Sequence, residues 1–147
     1  MKFISTILFT ACFLLQASTM KAQWETQPEF PGGPEALFSF IDSVRRYPQE
    51  AVAKKIEGRV ITSFVVEKDG SIPGIMIVRG VDSLLDREAI RVIEAMPKWK
   101  PGIQTGEIVR WRLALPIPFS LGENGEPLSN REKLNKSKDE SMRKRKH

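Results

Sequence analysis

The chain has 147 residues, with 23 Lys plus Arg against 18 Asp plus Glu, one His and one Cys. A lone cysteine excludes an intrachain disulfide, and the lone histidine, His147, in a tail expected to be disordered, is a weak candidate for a positioned base or metal ligand. Length and composition fit one small domain with a modest core.

The amino terminus starts Met1-Lys2, continues through Phe3, Ile4, Ile7, Leu8, Phe9, Phe13, Leu14 and Leu15, and closes on Met20, Lys21, Ala22 and Gln23. A basic start, a short apolar run and a small residue before Gln23 predict a cleaved signal peptide over 1–23 and a periplasmic address. The run of about 15 residues falls short of the ~20 that a spanning helix needs. A retained anchor and a lipoprotein modified at Cys12 are the second readings. Cleavage removes the only cysteine, so the exported domain relies on core packing alone.

Residues 24–33 form a short lead-in in which Pro28, Pro31 and Gly32-Gly33 favour extended or turning chain. The domain proper is expected over 34–121. Pro34 suits the first turn of a helix, and Leu37, Phe40, Ile41 and Val44 recur at helical spacing up to about Tyr47. Asp42, Arg45 and Arg46 occupy its polar face. Pro48 restrains Tyr47 and opens a second short helix through Ala51, Val52 and Lys55, which Gly58 ends.

The period then changes to two: Val60, Thr62, Phe64 and Val66 alternate with Ile61, Ser63 and Val65, which predicts a strand. Asp69-Gly70 supplies a tight hairpin turn into a second strand over Ile75, Met76, Ile77 and Val78, with Pro73 and Gly74 marking its irregular start. Asp82 or Ser83 caps the next helix, whose stripe of Leu85, Ala89, Val92 or Ile93, and Met96 is stopped by Pro97. Lys98 to Gly106, with Pro101, Gly102 and Gly106, reads as a shaped loop. From Val109 to Leu121, Val109, Trp111, Leu113, Leu115, Ile117, Phe119 and Leu121 share one parity, which predicts a single long, half-buried strand. The result is an α+β, two-layer domain with an antiparallel three-stranded sheet packed against helices.

Between Trp24 and Leu121 there are 13 basic and 13 acidic residues, so the basic excess lies in the tail, 122–147, with 8 basic and 5 acidic residues. Beyond Leu128 only Leu134 and Met142 are apolar, which predicts a basic, disordered tail. A neutral domain argues against nucleic acid as a partner, so Trp99 between Lys98 and Lys100 is expected to pack its loop against the sheet. Trp111 is expected in the core, and Tyr47 is expected to bury its ring with its hydroxyl partnered. Asp82, Asp86 and Glu88 read as capping and solvent-facing groups rather than a catalytic carboxylate pair. There is no phosphate-binding glycine loop. The sequence therefore predicts no enzyme, catalytic residue, metal, cofactor or small-molecule substrate.

The order of motifs resembles the carboxy-terminal domain of TonB, in the version common in stand-alone and membrane-sensor proteins of Bacteroidetes-like bacteria. The resemblance rests on Pro31-Gly32-Gly33, Phe40-Ile41, Tyr47-Pro48 with Ala51, Gly58 with Val60, Phe64-Val65-Val66 and Asp69-Gly70. It continues through Leu85-Asp86, Glu88-Ala89, the run Met96 to Gly102 (Met96-Pro97-Lys98-Trp99-Lys100-Pro101-Gly102), and Pro116-Ile117. It implies a two-layer TonB C-terminal-like fold and a protein-binding role in energy transduction at the cell envelope, in which an outer-membrane TonB-dependent receptor offers a short segment for β-strand addition. A full transducer has a long Pro-rich spacer, whereas here about ten residues separate the leader from the domain, a reach of roughly 35 Å. An exported accessory, competitor or adaptor is the expectation. A homodimer or other self-associating envelope protein, and an anchored transducer, are the alternatives.

Strand addition needs backbone groups on one side of a strand. Pro116 and Pro118 share a parity and lack donors, so they either guard that edge or confine docking to Val109, Arg110, Trp111, Arg112, Leu113, Ala114 and Leu115. Arg110 and Arg112 are the candidate specificity charges. Tyr47, Pro48, Gly58, Asp69, Gly70, Pro97, Trp99, Pro101 and Gly102 are assigned structural roles.

Overall fold

The computed structural model describes residues 25–145. The expected signal peptide, Trp24 and His147 lie outside the described residues.

Pro34 falls in the first turn of α1 (Gly33–Val44), where the helix needs no donor from it, and Pro48 caps the short α2 (Gln49–Ala53). Strand β1 (Gly58–Val66) follows, then β2 (Met76–Arg79), α3 (Ser83–Glu94), the short strands β3 (Gly102–Gln104) and β4 (Glu107–Val109), β5 (Trp111–Phe119) and α4 (Asn130–Lys144). Asp82 caps α3, its carboxylate accepting from the Leu84 amide at 2.9 Å.

The main sheet has the order β2-β1-β5 and is antiparallel throughout. Strand β1 pairs along its whole length with β5, from Gly58↔Phe119 to Val66↔Trp111. One face of it carries Val60, Thr62, Phe64 and Val66, all buried, opposite the buried Leu85, Ala89, Val92 and Ile93 of α3 and Leu37 and Ile41 of α1. Thr62 is the polar residue of that row. Its hydroxyl donates to the Leu115 carbonyl at 2.7 Å, so its burial leaves nothing unsatisfied. The α+β, two-layer arrangement of a small antiparallel sheet against helices is the architecture that the changes of period predict.

Four local features differ from the sequence expectation. The alternation from Val109 to Leu121 is not one strand: Val109 pairs with Gly102 in β4, whereas Trp111 pairs with Val66 in β5, and Arg110 lies between. Leu121 makes only an isolated bridge to Pro127. The side-chain period reports which face is inward, and it survives a change of hydrogen-bonding neighbour. Second, the segment read as a loop contains the β3–β4 hairpin, whose two-residue turn puts Thr105 at φ 52° and Gly106 at φ 82°, the positive pair of a type I′ turn. Third, Asp69-Gly70 does not join β1 tightly to β2. It closes a small turn in which Gly70 donates to Glu67 at 2.9 Å and Glu67 donates to Ser71 at 2.8 Å, and β2 starts only at Met76. Fourth, the tail read as disordered contains α4, started by a capping box in which Ser129 and Glu132 bond each other's amides. Local capping here offsets a composition with little to bury.

Candidate functional site

The free side of β5 follows from its prolines and its register. Residues in an antiparallel pair alternate between exchanging two hydrogen bonds and exchanging none. Pro116 faces Ile61 and Pro118 faces Arg59, and neither proline has a donor, so the even positions of β5 turn their backbone groups away from β1. The Pro118 carbonyl accordingly accepts from the Arg45 guanidinium of α1's C-cap instead of from the sheet.

Arg45 closes that end of the edge. Its second nitrogen donates to the Leu128 carbonyl at 2.9 Å and meets Asp42 at 3.4 Å, and its guanidinium lies 5.7 Å from the centre of the Phe119 ring. Burial pushes the Arg45 pKa down from its ordinary value, opposed by the charge of Asp42, with smaller opposing contributions from Tyr47 and Glu88. Sequence reading placed Arg45 on a polar helix face and missed this role. The nearest signal was its position at the end of α1, but its carbonyl partners are 73 and 83 residues away in the chain.

At the other end, Arg110 is held by Glu67, Nε to Oε2 at 2.7 Å and Nη2 to Oε1 at 2.8 Å. Between Arg110 and the Arg45 closure lie Arg112 and Ala114, both exposed, each presenting an outward N–H and C=O. Trp111, Leu113 and Leu115 point to the helix side and are half-buried. Trp111, expected in the core, is only half-buried and lies against Gly102: a Cβ at residue 102 would stand 2.7 Å from its ring. Val109 belongs to β4 and Arg110 to neither strand, so the candidate row Val109–Leu115 is split, and within β5 its Arg112 and Ala114 combine outward backbone with an exposed side chain.

The motif residues hold the frame around this edge. Tyr47 donates from its hydroxyl to the Ile56 carbonyl at 2.6 Å and meets Phe119 edge-on, with ring centres 5.5 Å apart. Burial, with the charge of Glu57 next, pushes its pKa up. Trp99 is buried against Phe30 and Phe64, and its backbone N–H donates to the Gly70 carbonyl at 2.9 Å. Gly70, at φ 84°, leaves no room for a side chain because a Cβ there would lie 2.1 Å from the Trp99 carbonyl oxygen. Asp69 accepts from the Ser71 hydroxyl at 2.6 Å and the Ser71 amide at 3.0 Å, which lowers its pKa. Gly58 opens β1 against Val81, and Pro97 and Pro101 bracket the turn that carries Trp99 from α3 to β3.

Residues 43–121, from the end of α1 to the end of β5, match the family model described as the Gram-negative bacterial TonB protein C-terminal. The chain belongs to the TonB C-terminal domain family. Protein TonB of Helicobacter pylori (strain J99) is 34% identical over 85 residues, covering 57% of this chain and 29% of that protein. Protein TonB of Pseudomonas aeruginosa is 42% identical over 66 residues, covering 43% of this chain and 18% of that protein. This chain therefore spans less than a third of the length of these curated relatives. The solution structure of the Helicobacter pylori TonB C-terminal domain is 31% identical, covers 58% of this chain and 77% of that one, and superposes with a TM-score of 0.47. TonB C-terminal domains are non-catalytic protein-binding domains.

Proposed function

We propose that this TonB C-terminal domain is a periplasmic protein-binding module that takes an extended segment of an outer-membrane receptor as an added strand on β5 and so contributes to TonB-dependent transport. The observation that carries the reading is the short open stretch of edge at Arg112 and Ala114, followed along β5 by the donor-less Pro116 and Pro118. Main-chain hydrogen bonds to such an edge supply affinity, and alternate side chains supply selectivity. Arg112, exposed and without an ion pair among the described residues, is the specificity charge of this edge, whereas Arg110 is paired with Glu67.

The test is titration of the isotope-labelled protein with plug-end peptides of the organism's outer-membrane receptors, read by backbone amide shifts. Saturable shifts at Arg112 and Ala114, with slowed amide exchange at both, are expected. No saturable shift along β5 for any of these peptides sinks the reading.

A further inference from the structure

The sheet face turned away from the helices carries a second, differently built surface. Strand β2 pairs Ile77 with Thr62 but Arg79 with Ile61, so Val78 is an extra residue opposite that step, a bulge. Without the bulge, Val78 would stand opposite Ile61. The insertion instead brings Arg79 there, on the same face as Arg59, two residues earlier in β1. The two arginines thus occupy diagonal positions on neighbouring strands of one sheet face.

Arg59 and Arg79 line an open groove of about 650 Å³ whose walls include Ile61, Val81 and Pro118. Neither guanidinium has a hydrogen bond or ion pair among the described residues. The carboxylates next to these segments accept backbone amides rather than either guanidinium: Glu57 from Leu121 at 2.5 Å, Asp82 from Leu84 at 2.9 Å and Asp86 from Val81 at 3.0 Å. Along the β2 border, Met76, Val78 and Val81 are 52%, 62% and 40% exposed. The surface therefore joins two arginines that have no ion pair among the described residues to exposed apolar side chains.

We infer that this groove is a docking site for an acidic segment of a partner protein that carries carboxylates beside apolar side chains. A carboxylate accepts the fork of an arginine in two parallel bonds, while its apolar neighbours cover Ile61, Val81 and Pro118. A phosphate ion would use the charges and leave the apolar walls wet. The surface is independent of the strand-addition edge, because Arg112 and Ala114 lie at the other end of β5, opposite Val65 and Ser63.

The test titrates the isotope-labelled protein with a blocked pentapeptide alternating Glu and Val, a Lys and Val counterpart, and inorganic phosphate. The Glu peptide is expected to shift the amides of Arg59, Arg79 and Val81 saturably and to leave those of Arg112 and Ala114 unmoved. Arg59→Gln with Arg79→Gln, both exposed positions, should weaken it by about tenfold or more, and Arg59→Glu with Arg79→Glu should transfer the preference to the Lys peptide. Equal binding of both peptides, unchanged affinity in the Gln variant, or phosphate matching the Glu peptide in affinity overturns the site. Shifts confined to β5 also overturn it, while leaving strand addition standing.

Discussion

The guanidinium of Arg45 lies 5.7 Å from the centre of the Phe119 ring, and the same group donates to the carbonyl of the preceding residue, Pro118. One side chain thus caps the ring and the backbone at the end of β5. It also ties in Leu128, beyond the sheet. Replacing it with an apolar chain of similar length removes charge-assisted bonds and leaves two carbonyls to find water. Arg45→Met is expected to destabilise the domain by about 2 kcal/mol, measured by urea unfolding. Faster amide exchange at Leu128, whose N–H donates to Ser120 at 2.8 Å, should accompany it.

Ala114 offers the sharpest perturbation of the proposed docking edge. Its backbone faces away from β1, as do those of Pro116 and Pro118, which the strand already accommodates. Ala114→Pro should therefore keep the β1–β5 ladder and most of the stability while deleting an outward donor. Receptor-peptide affinity is expected to fall by about tenfold or more, in line with a lost main-chain bond and the steric bar of the ring. Calorimetric titration beside a melting curve checks both halves of this expectation.

Tyr47 is the chain's single tyrosine, so phenolate absorbance reports it alone. Its pKa is raised mainly by burial, meaning the folded state favours the neutral phenol. The associated stability is present below the unfolded value of about 10 and is lost as pH rises through the higher folded value. A spectrophotometric titration should show the native midpoint above that of the urea-unfolded chain. Coincident midpoints would contradict the buried hydroxyl. Tyr47→Phe, which strands the Ile56 carbonyl, should cost about 1 kcal/mol at neutral pH.

Two glycines at similar backbone angles should behave differently. Gly70 has φ 84° and Gly106 has φ 82°, but a Cβ at Gly70 meets the Trp99 backbone, whereas nothing lies within 4 Å of one at Gly106. Gly106→Ala carries only the left-handed strain, about 1 kcal/mol. Gly70→Ala adds a backbone clash and should cost several kcal/mol, on the order of 3. Equal melting temperatures for the two variants would contradict the contact.

Much of the fold was legible because it depends on local periods and stops. The 3.6-residue stripe of Leu85, Ala89 and Val92, the alternation of Val60, Thr62, Phe64 and Val66, and the breaks at Pro48, Gly58 and Pro97 each act within one element, so adjacent residues suffice to reveal them. The inward parity of β5 was legible for the same reason. Its neighbours were not: whether Val109 pairs with β3 or β1 depends on where a distant strand ends, and alternation looks the same in both cases.

The sequence by itself determined the two-layer α+β composition, the paired prolines that deny donors to one side of β5, and a motif order that reaches from Pro31 to Ile117. Tertiary structure alone decided which charges remain free. Arg110 and Arg112 are equivalent by pattern and both exposed, yet Glu67, 43 residues away, pairs with the first, and the second has no ion pair among the described residues. Arg45 looked like a solvent-facing charge until β5 and the segment ending at Leu128 closed over it. The physical reason is common to both cases. A side chain's face is set by backbone geometry within a few residues, whereas its electrostatic partner is set by chain brought back from far along the sequence.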